Sequence, residues 1–302
     1  MRISAACIRC MVDRQEENIS RFEDEHKKSA YLKEVLRIIG DSEEDATAPL
    51  LTAKVTRAYQ EYFGESLDYR EIKHSFNQKM LAFEDAIRKE IHANQHPLQC
   101  ALSFARTGNY IDYGAMRDVE TSVLETLVRE AGQKKVEEET LKRFTKELET
   151  AKSLVYVTDN CGEIMLDKLL IELILELYPQ IQVTAVVRGN PVLNDATMED
   201  AVEVGLDRIV PVVGNGTDIA GTSLAHINQE SLELIQHADM ILAKGQGNFE
   251  TLHGCGLNIY YLFLCKCDWF VRRFQMEKNG GVFVHESRLG THGIDPLGQS
   301  DV

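Results

Sequence analysis

Asp159 and Asn160 stand side by side where the apolar run of residues 153–157 ends and an apolar helix begins. A third oxygen donor, Asp195, follows the next β-branched run, and Lys244 and Lys266 follow two later ones. Two carboxylates and one amide carbonyl offer only oxygen, which suits a hard divalent cation such as Mg²⁺ or Mn²⁺ rather than a thiolate-seeking metal. The lysines add positive point charges, and the backbone N–H groups after Asn160 and in the stretch Gly245-Gln246-Gly247-Asn248 are suited to anion oxygens. Cation, lysines and amides together describe phosphoryl chemistry. Singly, each has an ordinary reading: Asp-Asn pairs cap helices, Gly-x-Gly-Asn runs make turns, and lysines cover surfaces. Their common placement just after predicted strands is what joins them.

That placement follows from the elements. Beyond residue 150, short β-branched runs ("LVYVT", "VTAVV", "RIVPVV", "DMILAK", "IYYLFL" and a final "GVFVH") alternate with amphipathic helices. Such alternation predicts βαβ units and a mainly parallel sheet covered on both faces, a three-layer α/β/α fold. In open sheets of this kind ligands bind in the crevice at the carboxyl ends of the strands, where all these polar residues fall. From Cys7 to about residue 149 apolar residues recur at three and four, as in Tyr31, Val35, Ile38, Ile39, then Phe76, Met80, Phe83, Ile87, then Val119, Leu124, Val128. That period predicts helices. The expected organisation is therefore an all-helical domain over residues 1–149 and an α/β domain over residues 150–302.

A length of 302 residues allows one large core or two modest ones, and 44% hydrophobic with 27% charged is ordinary for a globular protein. The formal net charge of −15 argues against nucleic acid and anionic membranes as partners, since no basic cluster offsets it. Charge over distances beyond a Debye length of about 8 Å is screened, so a local positive pocket still admits a small phosphate. No segment reads as a membrane span or a secretory leader, and seven scattered cysteines read as reduced thiols, so a cytoplasmic protein is expected. Cys7 and Cys10 have the interval of a zinc half-site or redox pair, with Cys100 a possible third thiolate, but one helix face also places two small thiols together for packing. His92 and His96 are spaced for metal binding on a helix, yet Pro97 follows at once and a surface pair is the plainer reading.

The segments "TDNCGEIMLDKLLIELI", "VVRGNPVLNDATMEDA", "GNGTDIAGTSL", "ADMILAKGQGNFETL" and "YYLFLCKCD" resemble the damage-control phosphatase family, formerly domain of unknown function 89. "CIRC" and "CALSFARTGNYIDY" resemble its branch with an N-terminal Cys-x-x-Cys. The resemblance implies an α/β/α core with a helical N-terminal part and a phosphatase dependent on a divalent ion (Mn, Mg, Co or Ni), acting on small phosphorylated metabolites such as sugar phosphates. It implies metal ligation by Asp159, Asn160 and Asp195, phosphate binding by Lys266, and substrate contacts from Gln246, Gly247 and Asn248. Glu163 is then expected near the sugar or the metal's waters, Lys244 as a phosphate ligand or loop anchor, and Asn109 and Asp112 as pocket-lining residues folded over the sheet edge. The nucleophile stays open between Asp159 and a water. Two other classes compete: a nucleotide- or S-adenosylmethionine-binding enzyme such as a methyltransferase, which lacks a Gly-x-Gly-x-x-Gly turn after the first strand here, and a non-catalytic scaffold.

Overall fold

The structure, a computed structural model, describes residues 1–64, 68–108, 130–132, 134–290 and 293–294. The expected residues Asn109, Asp112, Val119, Leu124 and Val128 lie outside the described residues.

Three helices open the chain, each with an N-cap side chain that accepts a backbone N–H: α1 (Ala5–Ile19) from Ser4, α2 (Glu25–Gly40) from Asp24, and α3 (Ala48–Phe63) from Thr47. Gly64, at φ 69°, ends α3 in the left-handed conformation that glycine adopts without strain. The three helices bury Tyr31, Val35, Leu51, Val55 and Tyr59 in a core of their own, with Ile38 and Ile39 half-buried at its edge. The Tyr31 hydroxyl donates to Gln15 Oε1 at 2.7 Å, so this aromatic core has no unmet polar group at that point.

The next helices, α4 (Arg70–Leu81), α5 (Glu84–Ala93), α6 (Pro97–Gly108) and α7 (Glu138–Leu148), share a second core with one face of the sheet. Phe76, Met80 and Ile87 are buried in it as their spacing predicts. His92 and His96 do not share a helix, because α5 stops at Ala93 and Pro97 opens α6. Cys100 lies in this second core while Cys7 and Cys10 are on α1, and all seven cysteines are free thiols. Among the described residues no group of three His, Cys, Asp or Glu side chains is arranged to hold a metal.

The sheet runs β1 (Ser153–Val157), β2 (Gln182–Val187), β3 (Val212–Gly214), β4 (Met240–Lys244), β5 (Ile259–Leu264) and β6 (Gly281–His285), in spatial order β3-β2-β1-β4-β5-β6. The first five strands are parallel and β6 is antiparallel to β5. Residues alternate between faces with period two. Leu154, Tyr156, Ala185, Leu242 and Tyr260 pack against α6 and α8 (Glu163–Leu177). Val155, Val157, Val186, Ile241 and Tyr261 pack against the side holding α10 (Gln229–His237), α11 (Gly245–Leu252) and α12 (Asp268–Phe274), with α9 (Met198–Val204) returning to the first side. The result is the three-layer α/β/α fold. Eleven of the fifteen residues of α8 are buried, which accounts for a helix apolar on nearly all sides. The third strand is shorter than "RIVPVV" predicts, because Leu206–Arg208 turns as a 3₁₀ helix and Pro211, without an N–H, cannot join a ladder as donor.

Candidate functional site

Chain order reverses at the boundary between β1 and β4, where successive strands diverge to opposite sides, and that boundary is the place where open α/β sheets bind ligands. The register pairs Val157 with Val186 on one side and with Ala243 on the other. Two residues further along each strand lie Asp159, Arg188 and Gly245, which therefore surface together. Gly245 has φ +79°, and a Cβ there would overlap the Asp159 carboxylate, so close approach and backbone conformation both call for glycine.

Asp195 reaches the same place from the loop after β2. An isolated antiparallel bridge joins Asn160 to Asp195, and the Ala196 N–H donates to Asp159 O at 2.7 Å while the Cys161 N–H donates to Asn194 O at 2.8 Å. Leu193, just before, has φ +47°, a left-handed value uncommon for a branched residue. The two carboxylates converge on the Arg188 guanidinium: Nε donates to Asp195 Oδ2 at 2.6 Å and Nη2 lies 3.5 Å from Asp159 Oδ1. That Nη2 is buried and makes no hydrogen bond among the described residues. Burial, then the charges of Asp195 and Glu163, push the Asp159 carboxyl well above the ordinary carboxylate range, against the opposing pull of Lys266 and Arg188.

A cleft of about 220 Å³ opens over these groups. Asp159, Asn160, Asp195 and Lys266 line it together with Gln246 and Gly247. The Gly-Gln-Gly-Asn stretch is no loop; it forms the first turn of α11, and Gln246 Oε1 accepts the Lys266 N–H at 2.6 Å. Arg14 of α1 and Tyr69, which precedes α4, close the cleft from the helical side.

Three residues expected to meet substrate instead lie beneath the cleft floor. Lys244 is fully buried and its three protons go to Glu163 Oε1 at 2.6 Å, Asp167 Oδ1 at 2.6 Å and Ala105 O at 2.9 Å. With every donor used, it has none left for a phosphate. Burial alone lowers its pKa, but Asp167 and Glu163 outweigh that and raise it, so the ammonium stays charged. Glu163 is equally buried and accepts from Asn160 Nδ2 at 3.0 Å, so it steers the amide. The same Nδ2 donates to Asp159 Oδ2 at 2.7 Å, and Asn194 Nδ2 donates to Asn160 Oδ1 at 3.0 Å. The Tyr156 hydroxyl donates to Asp167 Oδ1 at 2.7 Å, while the buried Asp167 Oδ2 accepts no hydrogen bond among the described residues. Asn248 is also fully buried: its Nδ2 donates to Thr158 O and Lys244 O, which clips the ends of β1 and β4 together, and its Oδ1 accepts from Thr222 Oγ1.

Arg188, Arg14 and Tyr69 were given no role by sequence reasoning. Arg188 carried a signal, a lone arginine closing an apolar strand, whereas Arg14 and Tyr69 come from helices whose distance in sequence hides their approach.

The fold and site define a doubly wound α/β protein with carboxylates, an amide and cations gathered at its topological switch point. The chain belongs to the damage-control phosphatase ARMT1-like domain family, whose model matches residues 3–281. It is similar to a damage-control phosphatase of Archaeoglobus fulgidus, 31% identical over 277 residues that cover 89% of this chain and 93% of the relative. It is also similar to a damage-control phosphatase of Pyrococcus horikoshii, 27% identical over 281 residues covering 92% and 96% of the two chains. The crystal structure of a DUF89 family protein from Pyrococcus horikoshii superposes with a TM-score of 0.81 at 26% identity, covering 95% of this chain and 99% of that one.

Proposed function

We propose that this protein is a divalent-metal-dependent phosphatase that hydrolyses small phosphorylated metabolites such as sugar phosphates. The observation that carries the reading is the convergence of Asp159 and Asp195 on one cleft that Lys266 also lines. Family membership and the names of the relatives support the phosphatase class.

The donor set fits a hard cation. Asp159, Asn160 and Asp195 supply oxygen, and the burial and the facing carboxylates that together raise the Asp159 carboxyl are what a bound cation would offset. Mn²⁺, Mg²⁺, Co²⁺ or Ni²⁺ held by these three residues would polarise a phosphate oxygen and balance charge developing on phosphorus. Lys266 faces the same space and neutralises phosphoryl oxygens, while the first turn of α11 directs N–H groups towards it. Arg188 fixes Asp195, and the Asn160 amide is held from three sides, so the groups are set before substrate arrives. Water oxygen bonds to phosphorus, the ester P–O bond breaks, and the leaving alkoxide takes a proton. Water is favoured over Asp159 as nucleophile because a carboxylate engaged with a cation attacks poorly.

The division into a helical part over residues 1–149 and an α/β part over residues 150–302 belongs to this proposal: Arg14 and Tyr69 supply the cover and the strand ends supply the chemistry. Seven free cysteines fit a reducing compartment, and we assign the protein to the cytoplasm. Among the described residues no helix is long and apolar enough to cross a membrane.

The test is a screen of phosphorylated metabolites against a metal panel, run beside Asp159→Ala. The expected result is metal-dependent phosphate release by the wild type that chelator abolishes and Asp159→Ala lacks. Equal release by both proteins would assign the activity to a contaminant and remove the proposal.

A further inference from the structure

The cleft carries a cation that hydrolysis of a simple phosphate ester does not use. Arg14 lines it from α1, together with Asp159 after β1 and Asp195 from the loop after β2. Its side chain is exposed, and among the described residues it takes part in no ion pair or hydrogen bond, although α1 is rich in acids. The neighbouring Asp13 is engaged by Arg9 at 3.3 Å instead. An arginine left uncommitted at a cleft mouth, in a chain of net charge −15, places a planar anion-binding fork where long-range charge gives no help. Tyr69 beside it presents a half-buried aromatic side chain to the same space.

The cleft volume of about 220 Å³ falls below the roughly 300–1,000 Å³ typical of sites for drug-sized ligands, so the molecule that fills it is short. A ligand that places its phosphate against Lys266 and the Asp159–Asp195 pair and fills the rest of so small a cleft meets Arg14 and Tyr69, which line the same space. We infer that the preferred substrate is a small phosphate ester carrying a second anionic group, a carboxylate or a second phosphate, and that Arg14 selects it by binding that group. The inference rests on the phosphatase reading above and deepens it. Arg14 is a specificity-determining residue in this scheme, remote from the reacting phosphorus, and the Tyr69 ring packs on the carbon skeleton between the two anions.

The experiment compares three substrates with one metal: a hexose phosphate, the corresponding phosphorylated aldonic acid, and the hexose bisphosphate. Wild type, Arg14→Met and Arg14→Lys are measured for kcat and KM separately. The wild type should prefer one or both doubly anionic substrates by about tenfold in kcat/KM, the size of one charge-assisted contact. Arg14→Met should collapse that preference through KM, and Arg14→Lys should restore part of it. The aldonic acid and the bisphosphate distinguish a carboxylate from a phosphate as the second anion. Phosphate release without preference in the wild type, or a preference that survives in Arg14→Met, would overturn the role of Arg14 while leaving the phosphatase reading intact. If no release is seen from any of the three, repeated with each of Mn²⁺, Mg²⁺, Co²⁺ and Ni²⁺, both are overturned. Arg14 is exposed, so loss of folding is not a competing outcome, and unchanged thermal melting of the variants verifies this.

Discussion

Asn160 separates two layers of charge that obey opposite rules. Above it, Asp159 and Asp195 both line the cleft, and Asp159 resists ionisation because it is buried and, next, because the Asp195 and Glu163 carboxylates face it. Below it, Glu163 and Asp167 share Lys244, which bonds each of them at 2.6 Å and has all three donors engaged. The lower layer is closed off from the cleft, two buried carboxylates gathered around one fully engaged ammonium. The upper layer has Arg188 and Lys266 against its acids and is open to what enters the cleft. A buried, closed ion cluster holds geometry; an open one of similar composition is poised for a ligand. Asn160 bonds to both layers, so the orientation of a cleft-facing group is set by residues that never meet solvent.

This contrast can be broken from below first. Lys244→Met would leave Glu163 and Asp167 buried without their counter-charge, and the expected loss is about 3–5 kcal/mol of stability, read from the denaturant midpoint. Removing a cleft acid should do the reverse: Asp159→Asn relieves repulsion, so the metal-free variant should melt no lower than the wild type. If Lys244→Met proves as stable as the wild type, the lower layer is not the support described here.

A smaller effect tests the seam between layers. Gly245→Ala places a methyl group on the Asp159 carboxylate at a φ of +79°. We expect a loss of about 1–3 kcal/mol together with a displaced carboxylate and weakened metal binding. A neutral result in both thermal melting and metal titration would mean that the Asp159 side chain has room to spare.

The smallest effect concerns pH. The folded state holds the Asp159 proton more tightly than the unfolded chain does, so the unfolded state binds fewer protons above the ordinary aspartate pKa and stability falls as pH rises. Metal-free protein should therefore lose stability from mildly acidic towards neutral pH, and Asp159→Asn should flatten that slope. A divalent ion should flatten it too, since binding displaces the proton. Thermal melts across that range, with and without Mn²⁺, check both.

Much of this was legible because parallel strands buried on both faces read as β-branched runs, and their ends must surface along one edge. Asp159, Asn160, Asp195, Gln246, Gly247 and Lys266 were all found by that rule, and the structure gathers them around one cleft. Lys244 closes a strand at the same edge, yet its side chain turns inwards, because Asp167 from α8 and Ala105 from α6 supply acceptors that only tertiary packing brings near. Asn248 misled for a similar reason: a polar residue in a glycine-rich stretch reads as a contact, whereas its amide is consumed in holding two strand ends. Arg14 left no local signal at all. On a helix whose other charges face solvent, only the packing of α1 to α3 over the strand ends singles it out.

The most direct measurement is a Mn²⁺ titration of the purified protein by calorimetry or electron paramagnetic resonance, beside Asp159→Asn and Asp195→Asn. One ion per chain, lost or greatly weakened in each variant while both remain folded, is the outcome that a shared cation requires. Undiminished binding in either variant would contradict it, for then the two carboxylates do not serve one ion.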